Sequence, residues 1–165
     1  MKEKHKDEIR RLFDTVKMRT GEIKQQLKSV ENSDKQFLEK FGILCKDCIN
    51  PTIKEVGSHI KEMGGDYRVE EFQEEQLRQL GISGMPFLRL TITIPGYDLK
   101  THRGDIPSLI FAGDKHRLKV TCNLENIGHL SVADHQIIRQ WAIDEITPDR
   151  VEKAIISYMK VLVPV

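Results

Sequence analysis

The sequence predicts an α+β fold with two N-terminal helices, a long first and a proline-kinked second, a mainly antiparallel sheet of about four strands and a C-terminal helix. Apolar residues recur every three or four positions as far as Gly64-Gly65, alternate with polar residues beyond it, and return to helical spacing after Pro148. Because the strands are grouped together, antiparallel pairing is favoured. We predict one domain over residues 1–165, with a helical region at 1–64, a sheet region at 65–146 and the last helix at 147–165.

The first helix is predicted from apolar residues at alternating spacings of four and three, which form one stripe along an α-helix over residues 3–31. Thr20 occupies one stripe position, and the apolar members are Ile9, Phe13, Val16, Ile23, Leu27 and Val30. The same phase continues to Cys48, so a single rod of roughly 45 residues is also compatible with the pattern. We favour a break at Asn32-Ser33-Asp34, because these residues suit helix ends and Ser33 with Gln36 has the form of a capping box.

The second helix is predicted to run from Asp34 toward Met63, with a kink near residue 50 caused by Pro51. Gly64-Gly65 supplies the left-handed residue that commonly follows a helix. At the other end of the chain, Thr147-Pro148 places a capping hydroxyl before a first-turn proline and so predicts the start of the last helix.

The strands are predicted from alternation of apolar and polar residues. The clearest alternation covers residues 88–94 and 118–124, and residues 107–124 as a whole predict a tight antiparallel hairpin. Weaker patterns at 67–72 and 136–143 also favour strands, and the second pattern is compatible with a helix as well. The longest irregular segment, Pro95 to Pro107, is a candidate functional loop.

The stripe of the first helix has two candidate uses. Most amphipathic helices pack on the core of their own protein, here the second helix or the sheet. Self-association through part of the stripe is the other use, and it makes the six apolar stripe residues a candidate partner-binding seam. A parallel homodimer would set Arg19 against Lys24 of the second copy, and Arg10, Lys17 and Lys24 make one flank basic.

Composition excludes several classes of function. The formal net charge is +1, so the whole chain carries no strong electrostatic preference for nucleic acid or membrane. The sequence shows neither a membrane-spanning apolar run nor an apolar leader. Three cysteines cannot all pair within the chain and favour a reducing compartment. The expectation is a cytoplasmic protein without a membrane partner.

Residues with catalytic or metal-binding potential are scattered. Cys45 and Cys48 have the C-x-x-C spacing of zinc and dithiol sites, but a second ligand pair is missing, and buried structural cysteines are the commoner case. His102, Asp105 and His116 are weak candidate metal ligands without a helical ligand spacing. No nucleotide-binding motif is present. We therefore predict no cofactor and no metal, and the sequence favours a non-enzyme.

A possible anion or nucleic-acid face is predicted on the outward side of the strands and in the adjoining turns. Its candidate residues are Arg89, Lys100, Arg103, Lys115, Arg117 and Lys119. The main hypothesis is a protein-interaction or assembly module whose partner is another protein or a second copy. The alternatives are nucleic-acid binding through the basic sheet face and a metal-dependent enzyme using histidines and aspartates of the second half.

Overall fold

The computed structural model describes residues 3–81, 84–96, 107–125 and 135–163. The chain divides into two compact units, residues 1–36 and residues 37–165. Most of the candidate loop from Pro95 to Pro107 lies outside the described residues. The α+β fold class predicted from the sequence is confirmed.

Helix α1 runs without interruption over Glu3–Leu44, so the break predicted at Asn32-Ser33-Asp34 is wrong. Its first 34 described residues make up the first unit. Each of the three polar residues costs only about 0.5 kcal/mol of helix propensity relative to alanine. A break would instead leave about four amides and four carbonyls without helical partners. The cooperative hydrogen bonding of the helix therefore outweighs the local preference for a cap.

The irregularity of the N-terminal helices lies at the π-helical turn Cys45–Ile49, and helix α2 follows directly over Asn50–Glu62. The Asn50 amide donates to the Cys45 carbonyl, five residues back. Pro51 has no N–H, and its ring would clash with the carbonyl four residues earlier in a regular helix. A widened turn relieves this clash, which explains why the chain continues as a helix where the sequence predicts a kink.

Helix α2 ends as predicted at Gly64-Gly65. The Gly65 amide donates to the Ile60 carbonyl at 2.9 Å and the Gly64 amide to the Lys61 carbonyl at 3.0 Å, the bonding of a Schellman motif. Gly64 has a φ of +87°, which an L-residue with a side chain rarely adopts. The two glycines therefore turn the chain from α2 into the sheet.

The described residues form one antiparallel sheet of five strands rather than about four, in the order β1-β2-β3-β4-β5. The strands are β1 Asp66–Phe72, β2 Phe87–Thr93, β3 Ser108–Asp114, β4 Lys119–Glu125 and β5 His135–Trp141. The predicted hairpin is confirmed, with Asp114 opposite Lys119 at its closed end. Leu118 was predicted as a strand residue but lies in the turn with a φ of +54°.

Two further helices complete the second unit. Helix α3, Glu74–Gln79, is a short helix that the sequence pattern did not predict. Helix α4, Pro148–Leu162, begins as predicted, because Thr147 Oγ1 accepts a hydrogen bond from the Arg150 amide at 3.4 Å. Helices α2 and α4 contact each other, with α2 also on β1 and α4 on β3. One face of the sheet thus packs on helices and forms the core.

The C-terminal part of α1 packs closely on the sheet at Gly113. Phe41, on the part of α1 that belongs to the second unit, is 2% exposed and packs on Gly113 of β3. A Cβ atom on Gly113 would lie 2.9 Å from two carbons of the Phe41 ring. Because Gly113 has no side chain, the Phe41 ring can pack directly against the backbone of β3.

We expect Gly113→Ala to lower the free energy of unfolding by about 1–3 kcal/mol, because the added methyl group overpacks a rigid contact. Urea denaturation of the full chain measures the change. Gly42→Ala is the matched control: nothing lies within 4 Å of its added Cβ, and alanine in a helix interior should stabilise by about 0.5–1 kcal/mol. Equal stability of Gly113→Ala and the unsubstituted protein would contradict the packing account.

Candidate functional site

The apolar stripe of the first unit is exposed along its whole length. The exposed fractions of the predicted seam residues are 44% for Ile9, 65% for Phe13, 61% for Val16, 56% for Ile23, 58% for Leu27 and 55% for Val30. Farther along the same helix, within the second unit, Phe37 and Phe41 are 5% and 2% exposed. Large apolar side chains at helical spacing are normally covered. Among the described residues of the first unit, nothing covers the stripe.

The polar residue within the stripe does not prevent its burial. The Thr20 hydroxyl donates to the Val16 carbonyl of the preceding turn at 2.8 Å. A buried hydroxyl is costly only when it lacks a partner. Because this bond is internal to the helix, Thr20 can present its methyl group to a partner without leaving a donor unsatisfied. The stripe from Ile9 to Val30 is thus a continuous surface for apolar contact.

The C-x-x-C pair has the properties of structural cysteines. Cys45 is 1% exposed, and burial raises its pKa from 9.0 to about 12, with smaller contributions from Glu71 and Cys48. Burial also raises the pKa of the Cys48 thiol. Dithiol exchange requires a thiolate, which a raised pKa disfavours at neutral pH. The two residues therefore lack the environment of a reactive thiol pair.

The candidate metal ligands do not come together in the described part of the chain. His102 and Asp105 lie outside the described residues, and His116 is exposed in the turn between β3 and β4. Among the described residues, no group of three histidine, cysteine, aspartate or glutamate side chains is placed to hold a metal ion.

The predicted basic face contains carboxylates as well as cations. Arg89 lies on the sheet face opposite the core, where its Nη2 is 3.0 Å from Glu125 Oε2 and its Nη1 is 3.8 Å from Glu70 Oε2. Strand pairing places Glu70 directly across from Arg89. Lys100 and Arg103 lie outside the described residues. The central cation of the face is therefore neutralised by two glutamates.

The remaining cations of this face lie at the closed end of the hairpin. Arg117 is in the turn, not on β4 as predicted, with its Nε 3.8 Å from Asp114 Oδ2. Lys115 Nζ is 2.5 Å from Glu74 Oε1, and Lys119 lies opposite Asp114 in the strand register. A phosphate would have to compete with Glu74 for Lys115 and with Asp114 for Arg117. This charge arrangement gives little support to nucleic-acid binding.

Sequence reasoning missed an aromatic pair on the same face. Phe72 of β1 and Phe87 of β2 are cross-strand partners with ring centroids 5.1 Å apart, and the Arg89 guanidinium lies 5.4 Å from the Phe87 centroid. Strand alternation from Leu88 indicates that Phe87 faces outward. The pairing with Phe72 depends on strand register, which the sequence pattern does not give. Both rings are half-buried by their neighbours.

A cavity of about 640 Å³ opens beside α3 and the hairpin turn. Its charged and titratable lining residues are Glu74, Arg78, Lys115 and His116. Glu74 Oε1 is shared by the two cations, since it also lies 3.6 Å from Arg78 Nη2. None of the described lining residues is a serine, threonine or cysteine that could act as a nucleophile. The cavity therefore lacks a hydroxyl or thiol nucleophile among its described residues.

Comparison with family models, with curated proteins and with solved structures finds no match for this chain. In the described part of the chain, no helix has both the length and the apolar character needed to cross a bilayer.

Proposed function

We propose that this protein is an interaction module that binds a second helix through the apolar stripe of its N-terminal helix. One observation carries the proposal: the seam residues between Ile9 and Val30 are 44–65% exposed, although their spacing is that of a buried helix face. An isolated helix gains little stability from propensity alone and depends on packing of its apolar face. A partner helix would supply that packing.

The stripe has the geometry of a coiled-coil seam. Its residues alternate at spacings of four and three, an average of 3.5, which keeps the seam facing a supercoiled partner. Side chains at the two seam positions insert between residues of the facing helix. Two observations in the second unit also favour binding over catalysis: burial raises the pKa of the Cys45 thiol, and Arg89 on the sheet is paired with Glu125.

The test is binding of the full chain to a synthetic peptide of about 28 residues with an isoleucine and leucine seam and uncharged glutamine flanks. Sedimentation of the chain alone measures self-association in parallel. We expect the double variant Phe13→Glu with Leu27→Glu to weaken association at least about tenfold, because it places carboxylates in the seam.

The matched control is Met18→Glu with Gln25→Glu, which makes the same charge change on the opposite side of the same helix. It should associate like the unsubstituted chain, and circular dichroism verifies that both variants keep their helices. A chain that is monomeric and does not bind the peptide, or a seam variant that associates as well as the control, would refute the proposal.

A further inference from the structure

The charges beside the stripe restrict the helix that can cover it. With Phe13 and Leu27 at seam position a, and Val16 and Ile23 at position d, the flanking positions are e and g of the heptad. Every charged residue at a flanking position between Ile9 and Val30 is basic. These residues are Arg10, Lys17, Arg19 and Lys24.

The acidic residues of the same segment lie away from the seam. Asp14 and Glu22 occupy positions b and c, on the outer side of the helix. No ion pair within 4.0 Å neutralises the flanking cations: the ion pairs of the described residues all lie between His59 and Lys153. The seam is thus an apolar strip bordered by unneutralised positive charge.

A second copy of the chain fits this border poorly in either orientation. In a parallel pair, Arg19 of one copy faces Lys24 of the other. In an antiparallel pair that overlaps the whole stripe, with Thr20 opposite Ile23, Lys17 faces Lys24 at two symmetric places and Arg10 faces Glu31 at two others. The like charges destabilise both kinds of pair, and in the antiparallel pair the contacts of Arg10 with Glu31 offset part of that cost.

A lipid surface also fits poorly. A seam that repeats every 3.5 residues drifts by about 20° per heptad around a straight helix, so it stays on one side only when the helix supercoils around a partner. The polar side of this segment is mainly basic, as on helices that lie on membranes, with Asp14 and Glu22 as its acidic residues. Charge alone therefore does not distinguish a lipid surface from a partner helix, whereas the drift of the seam does.

We infer that the partner of the stripe is an amphipathic helix of a different protein with glutamate or aspartate at its e and g positions. This inference rests on the proposed function and adds the chemistry of the partner to it. Acidic flanks would pair with all four basic positions while the two apolar seams pack, and the same charges prevent pairing between copies.

The experiment uses the full chain and two peptides of about 28 residues that share one seam and carry either glutamate or lysine at every e and g position. Fluorescence anisotropy at about 0.05 M and 0.5 M NaCl measures affinity. We expect the glutamate peptide to bind at least about tenfold more tightly at low salt, with a smaller advantage at high salt.

A charge-swapped variant, Arg19→Glu with Lys24→Glu, should lose the preference while keeping the apolar seam. Its control, Arg11→Glu with Lys28→Glu, makes the same charge change at positions f and b and should keep the preference. Binding to vesicles that contain phosphatidylserine tests a lipid surface as the partner of the stripe. Sedimentation of the chain alone tests a second copy.

Equal affinity for the two peptides, with both lost in the seam variant at Phe13 and Leu27, would overturn the acidic-partner inference and leave the proposed function standing. If the chain dimerises, the dimer is lost in the seam variant and neither peptide binds, the acidic-partner inference is likewise overturned and the proposed function stands. Absence of binding to either peptide and of self-association would overturn both. Binding to vesicles with no binding to either peptide and no self-association would overturn both and identify a lipid surface as the occupant of the stripe.

Discussion

Replacing Tyr158 by phenylalanine should lower the free energy of unfolding by about 2–4 kcal/mol. Tyr158 is 0% exposed in α4, and its hydroxyl donates to the Pro107 carbonyl at 2.6 Å and accepts from the Ile92 amide at 3.1 Å. On the core side of the sheet, Leu90 and Leu109 are the last residues that pair between β2 and β3. If the pairing continued, Ile92 would lie opposite Pro107. The Tyr158 hydroxyl instead lies between the backbones of these two residues and hydrogen-bonds to both.

Phenylalanine would leave a buried amide and a buried carbonyl without a partner, and each such group costs about 1–3 kcal/mol. Urea denaturation with circular dichroism gives the change in stability. Tyr67→Phe is the control, since that tyrosine is half-exposed in β1 and should change stability by less than about 0.5 kcal/mol. A Tyr158→Phe protein as stable as the control would show that the two hydrogen bonds contribute little.

Alkaline solution should destabilise the protein steeply between about pH 9 and pH 12. Burial raises the pKa of Cys45 and of Cys122 from 9.0 to about 12, and that of Tyr158 from 10.0 to about 12. Smaller influences are Glu71 and Cys48 on Cys45, Arg139 on Cys122, which lowers its pKa, and the Ile92 hydrogen bond on Tyr158, which also lowers it.

The sign follows from proton binding. In the unfolded chain these groups lose their protons at about pH 9–10, while in the folded protein they keep them to about pH 12. The folded state is therefore fully favoured below pH 9, and its advantage is lost as the pH rises toward 12. With three groups, the slope approaches about 4 kcal/mol per pH unit between pH 10 and pH 12.

Denaturant unfolding at several pH values in the presence of a reductant measures this slope. Between pH 9 and pH 10 the two thiols dominate, so Cys45→Ala with Cys122→Ala should flatten the curve there, whatever its effect on stability at pH 7. The same slope in the double variant as in the unsubstituted protein would show that buried thiols do not cause the alkaline loss.

The parts of the fold that the sequence predicts are those fixed by local chemistry. Alternation over residues 88–94 predicts β2 to within one residue, and the glycines at 64 and 65 and the Thr147 cap place helix ends correctly. The break predicted at Asn32-Ser33-Asp34 was wrong because a local preference decided the prediction and not the structure. The preference of these residues for a helix end was outweighed by the cooperative hydrogen bonding along α1.

The candidate site divides in the same way. The identity of the stripe residues follows from spacing, but whether Phe13 is covered depends on the tertiary structure, and spacing alone favoured coverage. The ion pairs of Arg89 require the strand register that brings Glu70 and Glu125 beside it. Helix α3 was missed because only Leu77 of its six residues is buried, so it shows no periodic pattern.

The order of the strands bears on how the second unit folds. Each strand pairs with its neighbour in the chain, so the sheet can assemble one hairpin at a time without closing long loops. The bond from Tyr158 to Pro107 instead joins residues 51 apart in sequence. Docking of α4 therefore carries the largest loop-closure entropy among these contacts, and a sheet that forms before α4 docks would expose its apolar face to aggregation.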